Sequence, residues 1–82
     1  MTFPANSFER GRYDAKALVS ALHRECERRG WEPTNRNMAL LASVDRRTVI
    51  RWRHHQDTVK YHAIADRVEQ ECGVHISELE AS

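Results

Sequence analysis

Long hydrophobic stretches are absent from this 82-residue sequence. No apolar run approaches the roughly 20 residues that a membrane-spanning helix needs. The first residues contain neither a basic region nor a hydrophobic stretch, so no secretory signal is predicted. We therefore expect a cytoplasmic location and no membrane partner.

Cysteine is also scarce, since the chain contains only Cys26 and Cys72. A disulfide is rare in cytosolic proteins. Both residues fall on the apolar side of predicted helices, where a free cysteine behaves as a small hydrophobic residue. We therefore predict two buried thiols rather than a disulfide.

The residue patterns of enzyme sites are missing as well. The sequence has no glycine-rich phosphate-binding loop, Ser20 and Ser43 have no evident catalytic partners, and the carboxylates are scattered over charged surfaces. A chain of this size is also too small to enclose a typical substrate pocket. We predict a non-enzyme with no catalytic residues, no metal, no cofactor and no small-molecule substrate.

No segment shows the alternation typical of a strand, and helical periodicity dominates. Capping and helix-ending residues predict four helices and a short final turn or helix. They cover about residues 15–29, 35–43, 45–54, 61–72 and 74–79. Residues 1–13 show no sustained period and are predicted to form a flexible N-terminal arm before a domain over residues 14–82. The expected fold class is all-α, a compact bundle of four or five helices.

Charge is distributed unevenly along the chain, although the formal net charge is only +1. Residues 45–60 contain five basic and two acidic residues, whereas residues 66–82 contain five acidic residues and one basic residue. A polarity of this kind steers a docking surface toward its partner. The basic segment is compatible with nucleic acid, and equally with a charged helix face that is only solvated.

Two of the predicted helices have the outline of a helix-turn-helix, because a short turn joins them and the second follows a polar cap. The helices of this motif cross steeply, so only a few inward side chains can meet. Counted from Asn35, the small or apolar residues at those inward positions are Met38, Ala39, Ala42, Val44, Val49 and Trp52.

Residues 34–52 (TNRNMALLASVDRRTVIRW) resemble the lambda-repressor-like (Cro or XRE-type) helix-turn-helix family, whose pattern is close to T-Q-x-x-L-A-x-x-x-G-V-S-x-x-T-I-S-R-W. Residues 64–68 and 72–79 resemble the family's last segment, so the similarity covers roughly residues 17–79. The resemblance implies a lambda-repressor-like bundle that binds double-stranded DNA. Ser43 stands where the family has a turn glycine. If that position needs a positive φ, serine costs about 1 kcal/mol there.

The resemblance also implies which residues contact DNA. The base-reading positions of the family fall on Arg46, Arg47 and Arg51, and Ile50 and His54 are close enough to join them. The planar fork of arginine matches the O6 and N7 atoms of guanine, and isoleucine suits a thymine methyl group. The residues at positions suited to phosphate contacts are Thr34, Asn35, Arg36 and Lys60.

Some residues also fit a metal site. His23 with Cys26, and Cys72 with His75, form a mirrored pair with zinc-ligand spacing. Pairs three residues apart are common in helices, however, so no metal ligand is predicted. The adjacent histidines His54 and His55 could also bind a metal, but they fit better as the end of a helix, where a partial positive charge on the side chain is favourable.

Other residues suggest further DNA contacts. Trp31 and Trp52 could stack on bases, although Trp52 occupies an inward position of the motif. Arg10 and Arg12 could reach a minor groove from the N-terminal arm, or the arm could simply be disordered.

The expected function is sequence-specific transcriptional regulation, as a repressor or Cro-like protein at the nucleoid of a bacterial or phage-infected cell. The alternative is a protein-interaction module, antitoxin-like or an adaptor, because a fold alone does not determine function. A homodimer on DNA, a monomer on an asymmetric site and one domain of a longer protein all stay open. The operator sequence and the choice between repression and activation stay open as well.

Overall fold

Helices dominate the computed structural model, which describes residues 10–55 and 58–80. In chain order the elements are β1 (Arg10–Asp14), α1 (Ala15–Arg28), α2 (Asn35–Ala42), α3 (Arg46–His55), β2 (Thr58–Tyr61), α4 (His62–Cys72) and the 3-10 helix η1 (Ile76–Leu79). Within the described ranges there are four α-helices, so the predicted helical character is confirmed.

Local capping sets the ends of these helices. Asp14 Oδ1 accepts a hydrogen bond from the backbone N–H of Lys16 at the start of α1, and Thr34 Oγ1 accepts one from Asn37 at the start of α2, each at 3.1 Å. Such side-chain oxygens satisfy N–H groups that have no partner within the helix. Gly73, with a φ of 67°, follows the end of α4. The observed ends of the four helices lie within one residue of the predicted ones.

A two-stranded antiparallel sheet joins β1 to β2, so the prediction that no segment forms a strand is wrong. The flexible arm predicted over residues 1–13 is likewise wrong from Arg10 onward, while residues 1–9 lie outside the described residues. Tyr13 pairs with Val59 across the sheet, and each is only 5% exposed. Strands of four or five residues are too short to show a clear period, and their pairing joins segments that are distant in the chain.

One hydrophobic core lies between the helices and the sheet. The hydroxyl group of Tyr13 forms a 2.5 Å hydrogen bond with His62 Nδ1, which links β1 to α4. Of the six inward positions of the predicted motif, five are buried and Val44 is half-buried against the core. The largest fully buried hydrophobic side chains are Leu18, Leu22, Met38, Val49, Val68 and Leu79.

A buried carboxylate, Glu25, binds two arginines at the end of α1, and one of them also reaches α4. It accepts hydrogen bonds from Arg28 at 2.8 and 2.7 Å and from Arg29 at 2.7 Å. The hydrogen bonds from Arg28 and then Arg29 lower the pKa of Glu25 to about 2. Arg29 also donates to the backbone oxygen and the carboxylate of Glu71 in α4, both at 3.2 Å. The charges of both arginines are therefore compensated within the protein.

The turn between α2 and α3 contains a left-handed residue that is not glycine. Ser43 has a φ of 58° and a ψ of 44°, so the positive φ considered from the sequence is present. Its N–H donates to the carbonyl oxygen of Leu40 at 3.3 Å, and the N–H of Val44 donates to that of Ala39 at 3.1 Å. These bonds end α2 and set the direction in which the chain enters α3.

Replacing Ser43 with glycine is expected to raise the free energy of unfolding by about 1 kcal/mol, because glycine adopts this conformation without a Cβ clash. Urea denaturation followed by circular dichroism measures the change. Gly73→Ala is the matched control: an added Cβ meets no atom within 4 Å there, so only the positive φ acts against it. That variant should lose a similar amount of stability. A Ser43→Gly protein less stable than the wild type would contradict the expectation.

Candidate nucleic-acid interface

The orientation of α3 is set by the side chains that it buries. Val49 is fully buried and Trp52 is 3% exposed, and both belong to the same core cluster as Met38 of α2. Successive residues of an α-helix are rotated by about 100°. The side of α3 opposite Val49 and Trp52 therefore faces away from the protein.

The five residues predicted to read bases lie on this outward side of α3. At about 100° per residue they fall within an arc of about 140°. Four are exposed and one, Ile50, is half-buried. The structure thus brings onto one face Arg46, Arg47, Ile50, Arg51 and His54.

Two arginines of this face have no ion-pair partner among the residues that the structure describes. Within residues 10–55 and 58–80, no carboxylate forms an ion pair with Arg46 or Arg47. By contrast, Arg28 of α1 lies 2.7 Å from the Glu25 carboxylate. The positive charge at the start of α3 is therefore available to a partner.

The same two arginines occupy an electrostatically unfavourable place. They are the first two residues of α3, and the first turn of that helix contains no acidic residue, although Asp45 directly precedes it. The N-terminal end of a helix has a partial positive charge, so a cation there costs about 0.3–1 kcal/mol. Residues that lower stability in this way are expected at functional sites, and this supports a functional role for Arg46 and Arg47.

The start of α2 carries three of the four residues predicted to contact phosphate. Thr34 caps the helix with Oγ1, but its hydroxyl group still has a proton to donate. Asn35 is the first residue of the helix and is half-buried, while Arg36 is exposed. The fourth residue, Lys60, lies in β2, and its side chain lies outside the described part of the chain.

Arg53 also reaches this end of α2, although it was not among the predicted site residues. Its Nη1 donates to Asn35 Oδ1 at 2.6 Å. Two turns of helix separate Arg53 from Arg46, so helical spacing could have assigned both to one side of α3. The bond to Asn35 joins residues 18 positions apart, and the sequence carries no sign of it.

The histidines of the alternative zinc pairing have other partners. His23 Nδ1 lies 3.5 Å from the carboxylate of Glu27, one helical turn away. His75 caps η1, where its Nδ1 accepts a hydrogen bond from the N–H of Ser77 at 3.1 Å. Among the described residues, no three histidine, cysteine, aspartate or glutamate side chains come together as a metal site.

Both cysteines are free thiols, as predicted. Cys26 is buried, and burial raises the pKa of its thiol. Cys72 is half-buried rather than buried, and desolvation raises the pKa of its thiol to about 11. A thiol with a raised pKa stays protonated at neutral pH and is a poor nucleophile and metal ligand.

The two tryptophans have different surroundings. Trp52 lies in the core, which confirms the packing interpretation over base stacking. Trp31 is 40% exposed, and the guanidinium carbon of Arg29 lies 5.4 Å from the centroid of its ring system. Arg12, considered for a minor groove, is exposed on β1.

The chain matches no protein-family model, no curated protein and no solved structure. The resemblance to the lambda-repressor-like family therefore rests on the residues quoted from the sequence. Each helix in the described ranges is too short or too polar to cross a membrane.

Proposed function

We propose that this domain is a sequence-specific regulator of transcription that binds double-stranded DNA. In this proposal α2 and α3 form the helix-turn-helix of a lambda-repressor-like fold, and α3 enters the major groove. The observation that carries the proposal is the outward face of α3, which presents Arg46 and Arg47 without ion-pair partners among the described residues. A cationic helix face fits the major groove of a polyanionic duplex.

Each residue of the face has a role suited to its chemistry. Arg46, Arg47 and Arg51 donate to guanine O6 and N7, and each well-formed pair contributes about 1–3 kcal/mol of discrimination between bases. Ile50 contacts a thymine methyl group, and His54 lies further along the same groove. The residues that contact the phosphate backbone are Thr34, Asn35, Arg36 and Lys60.

The biological setting follows from the resemblance. The domain acts as a repressor or Cro-like protein at the nucleoid, in the cytoplasm of a bacterial or phage-infected cell. Two copies bound as a homodimer would place their recognition helices about 34 Å apart, one turn of the duplex. A symmetric pair of half-sites in the preferred DNA sequence is the signature of that arrangement.

One observation favours a second candidate, a protein-interaction module of the antitoxin-like or adaptor kind. Leu40 on α2 is 60% exposed and Trp31 is 40% exposed. Single exposed hydrophobic residues are normal on protein surfaces, and only a contiguous apolar patch indicates a protein partner. The outward face of α3 carries three arginines, whereas Leu40 and Trp31 are single exposed residues, so DNA is the preferred partner.

Selection from a library of randomised duplexes tests the DNA proposal. The protein is incubated with the library at about 150 mM salt, where non-specific electrostatic binding is weak, and the retained duplexes are sequenced. A motif that contains guanines is expected. The matched controls are Arg46→Ala and Arg47→Ala, which should each relax the preference at a defined position of that motif.

No enrichment, with binding that disappears at this salt concentration, would contradict the proposal. That result would leave only non-specific electrostatic attraction and would favour the protein-interaction module. Enrichment of a motif that neither arginine variant alters would contradict the assignment of these two residues as readers of bases.

A further inference from the structure

The hydrogen bond between Arg53 and Asn35 joins the basic side of α3 to the start of α2. Arg53 Nη1 lies 2.6 Å from Asn35 Oδ1, and the two side chains are exposed and half-buried, respectively. Asn35 is neutral, so this contact is a hydrogen bond rather than an ion pair, and its exposure to water limits its contribution to folding stability. The more specific consequence of this contact is the orientation that it imposes on the Asn35 side chain.

The chemistry of the two groups determines that orientation. A guanidinium group only donates hydrogen bonds, whereas the asparagine side chain has an oxygen that accepts and a nitrogen that donates. The atom that faces Arg53 must therefore be Oδ1, and Nδ2 with its two protons points away from the guanidinium. An asparagine without such a partner can present either atom, and its oxygen would repel a phosphate.

The position of Asn35 at the start of α2 places its outward Nδ2 where a phosphate would bind favourably. Asn35 is the first residue of α2. Backbone N–H groups and a partial positive charge at a helix start favour an anion. A further donor at that point adds to the attraction for a phosphate oxygen, and the exposed cation of Arg36 follows directly in the chain.

We propose that Arg53 is a positioning residue that holds the Asn35 side chain with Nδ2 outward, so that Asn35 donates to a backbone phosphate of the bound duplex. This inference rests on the proposed DNA binding. It adds Arg53 as a residue that affects DNA binding through Asn35. Because a phosphate contact carries no sequence information, Arg53 affects affinity and leaves the preferred sequence unchanged.

A double-mutant cycle tests the inference with Arg53→Ala, Asn35→Ala and the double variant. The probe is the duplex selected by the wild-type protein, labelled with fluorescein and titrated by anisotropy. Each single variant is expected to bind about tenfold more weakly, as for the loss of one hydrogen bond to a charged group. The double variant is also expected to lose only about tenfold, because both substitutions remove the same contact. Arg24→Ala, which removes an exposed arginine of α1, is the control and should bind like the wild type.

A second measurement needs no DNA. In the free protein, the side-chain amide resonances of Asn35 are expected to shift and broaden in Arg53→Ala, while the thermal unfolding midpoint stays unchanged. Resonances identical to those of the wild type would overturn the positioning role.

The outcomes on DNA separate this inference from the function on which it rests. Losses that multiply to about a hundredfold in the double variant would overturn it, because Arg53 would then contact DNA independently. In that case Arg53→Ala would also lower the salt dependence of binding by about one unit. Unchanged binding of Arg53→Ala, with the wild type still selecting its motif, would overturn this inference alone. A wild-type protein that selects no duplex would overturn the proposed function together with it.

Discussion

Replacing both Arg46 and Arg47 with glutamate is expected to abolish specific binding to a duplex while leaving the domain at least as stable as the wild type. Each arginine lost from a guanine contact costs about 1–3 kcal/mol, so the two together weaken binding at least about thirtyfold. The new carboxylates also repel the phosphates. At the start of α3, however, glutamates interact favourably with the helix dipole, by about 0.3–1 kcal/mol each. Fluorescence anisotropy measures the affinity, and urea denaturation measures the stability.

The control variant changes the net charge of the protein by the same amount, but at residues outside α3. Lys16 and Arg24 are exposed on α1, so a Lys16→Glu/Arg24→Glu protein alters the overall charge equally without touching α3. It should retain most of its affinity for the duplex. Equal losses in the two double variants would show that overall charge, and not the face of α3, governs binding.

Replacing Trp52 with alanine is expected to lower the free energy of unfolding by about 3–5 kcal/mol, because the indole is only 3% exposed and its removal leaves a cavity in the core. Domains of this kind are stable by about 5–15 kcal/mol, so the substitution removes a large fraction of the total stability. Urea denaturation followed by circular dichroism measures the loss. The duplex should no longer be bound, because α3 loses its attachment to the core.

Trp31→Ala is the control for the core variant. Its ring is 40% exposed, and its removal takes away a contact with Arg29 that contributes about 0.5–1 kcal/mol. We expect a change of that size and little effect on DNA binding. A Trp52→Ala protein that folds with wild-type stability would contradict the prediction.

The helices could be predicted from the sequence because their signals are local. Asp14 and Thr34 cap helices a few residues away, and Gly73 ends one, so each boundary depends on neighbouring residues alone. The outward face of α3 follows in the same way, because the buried positions of Val49 and Trp52 determine which residues must lie opposite them.

What the sequence did not predict depends on residues far apart in the chain. The apolar period of α4 predicts that Tyr61 belongs to that helix, but Tyr61 lies in β2, where its backbone pairs with Arg10. The bond between Arg53 and Asn35 likewise requires α2 and α3 to be packed first. The contact between Arg29 and Glu71 likewise requires α1 and α4 to be packed together.

The pairing of β1 with β2 has a consequence for the order in which the chain folds. Tyr13 meets Val59, so the sheet closes a loop that contains α1, α2 and α3. Closing a loop costs conformational entropy that grows with its length, and non-local contacts of this kind slow folding. The helices can form their neighbouring contacts first, and the strands pair when this segment is already compact. Residues 10–13, which the sequence assigns to a flexible arm, are thereby tied to the segment that follows α3.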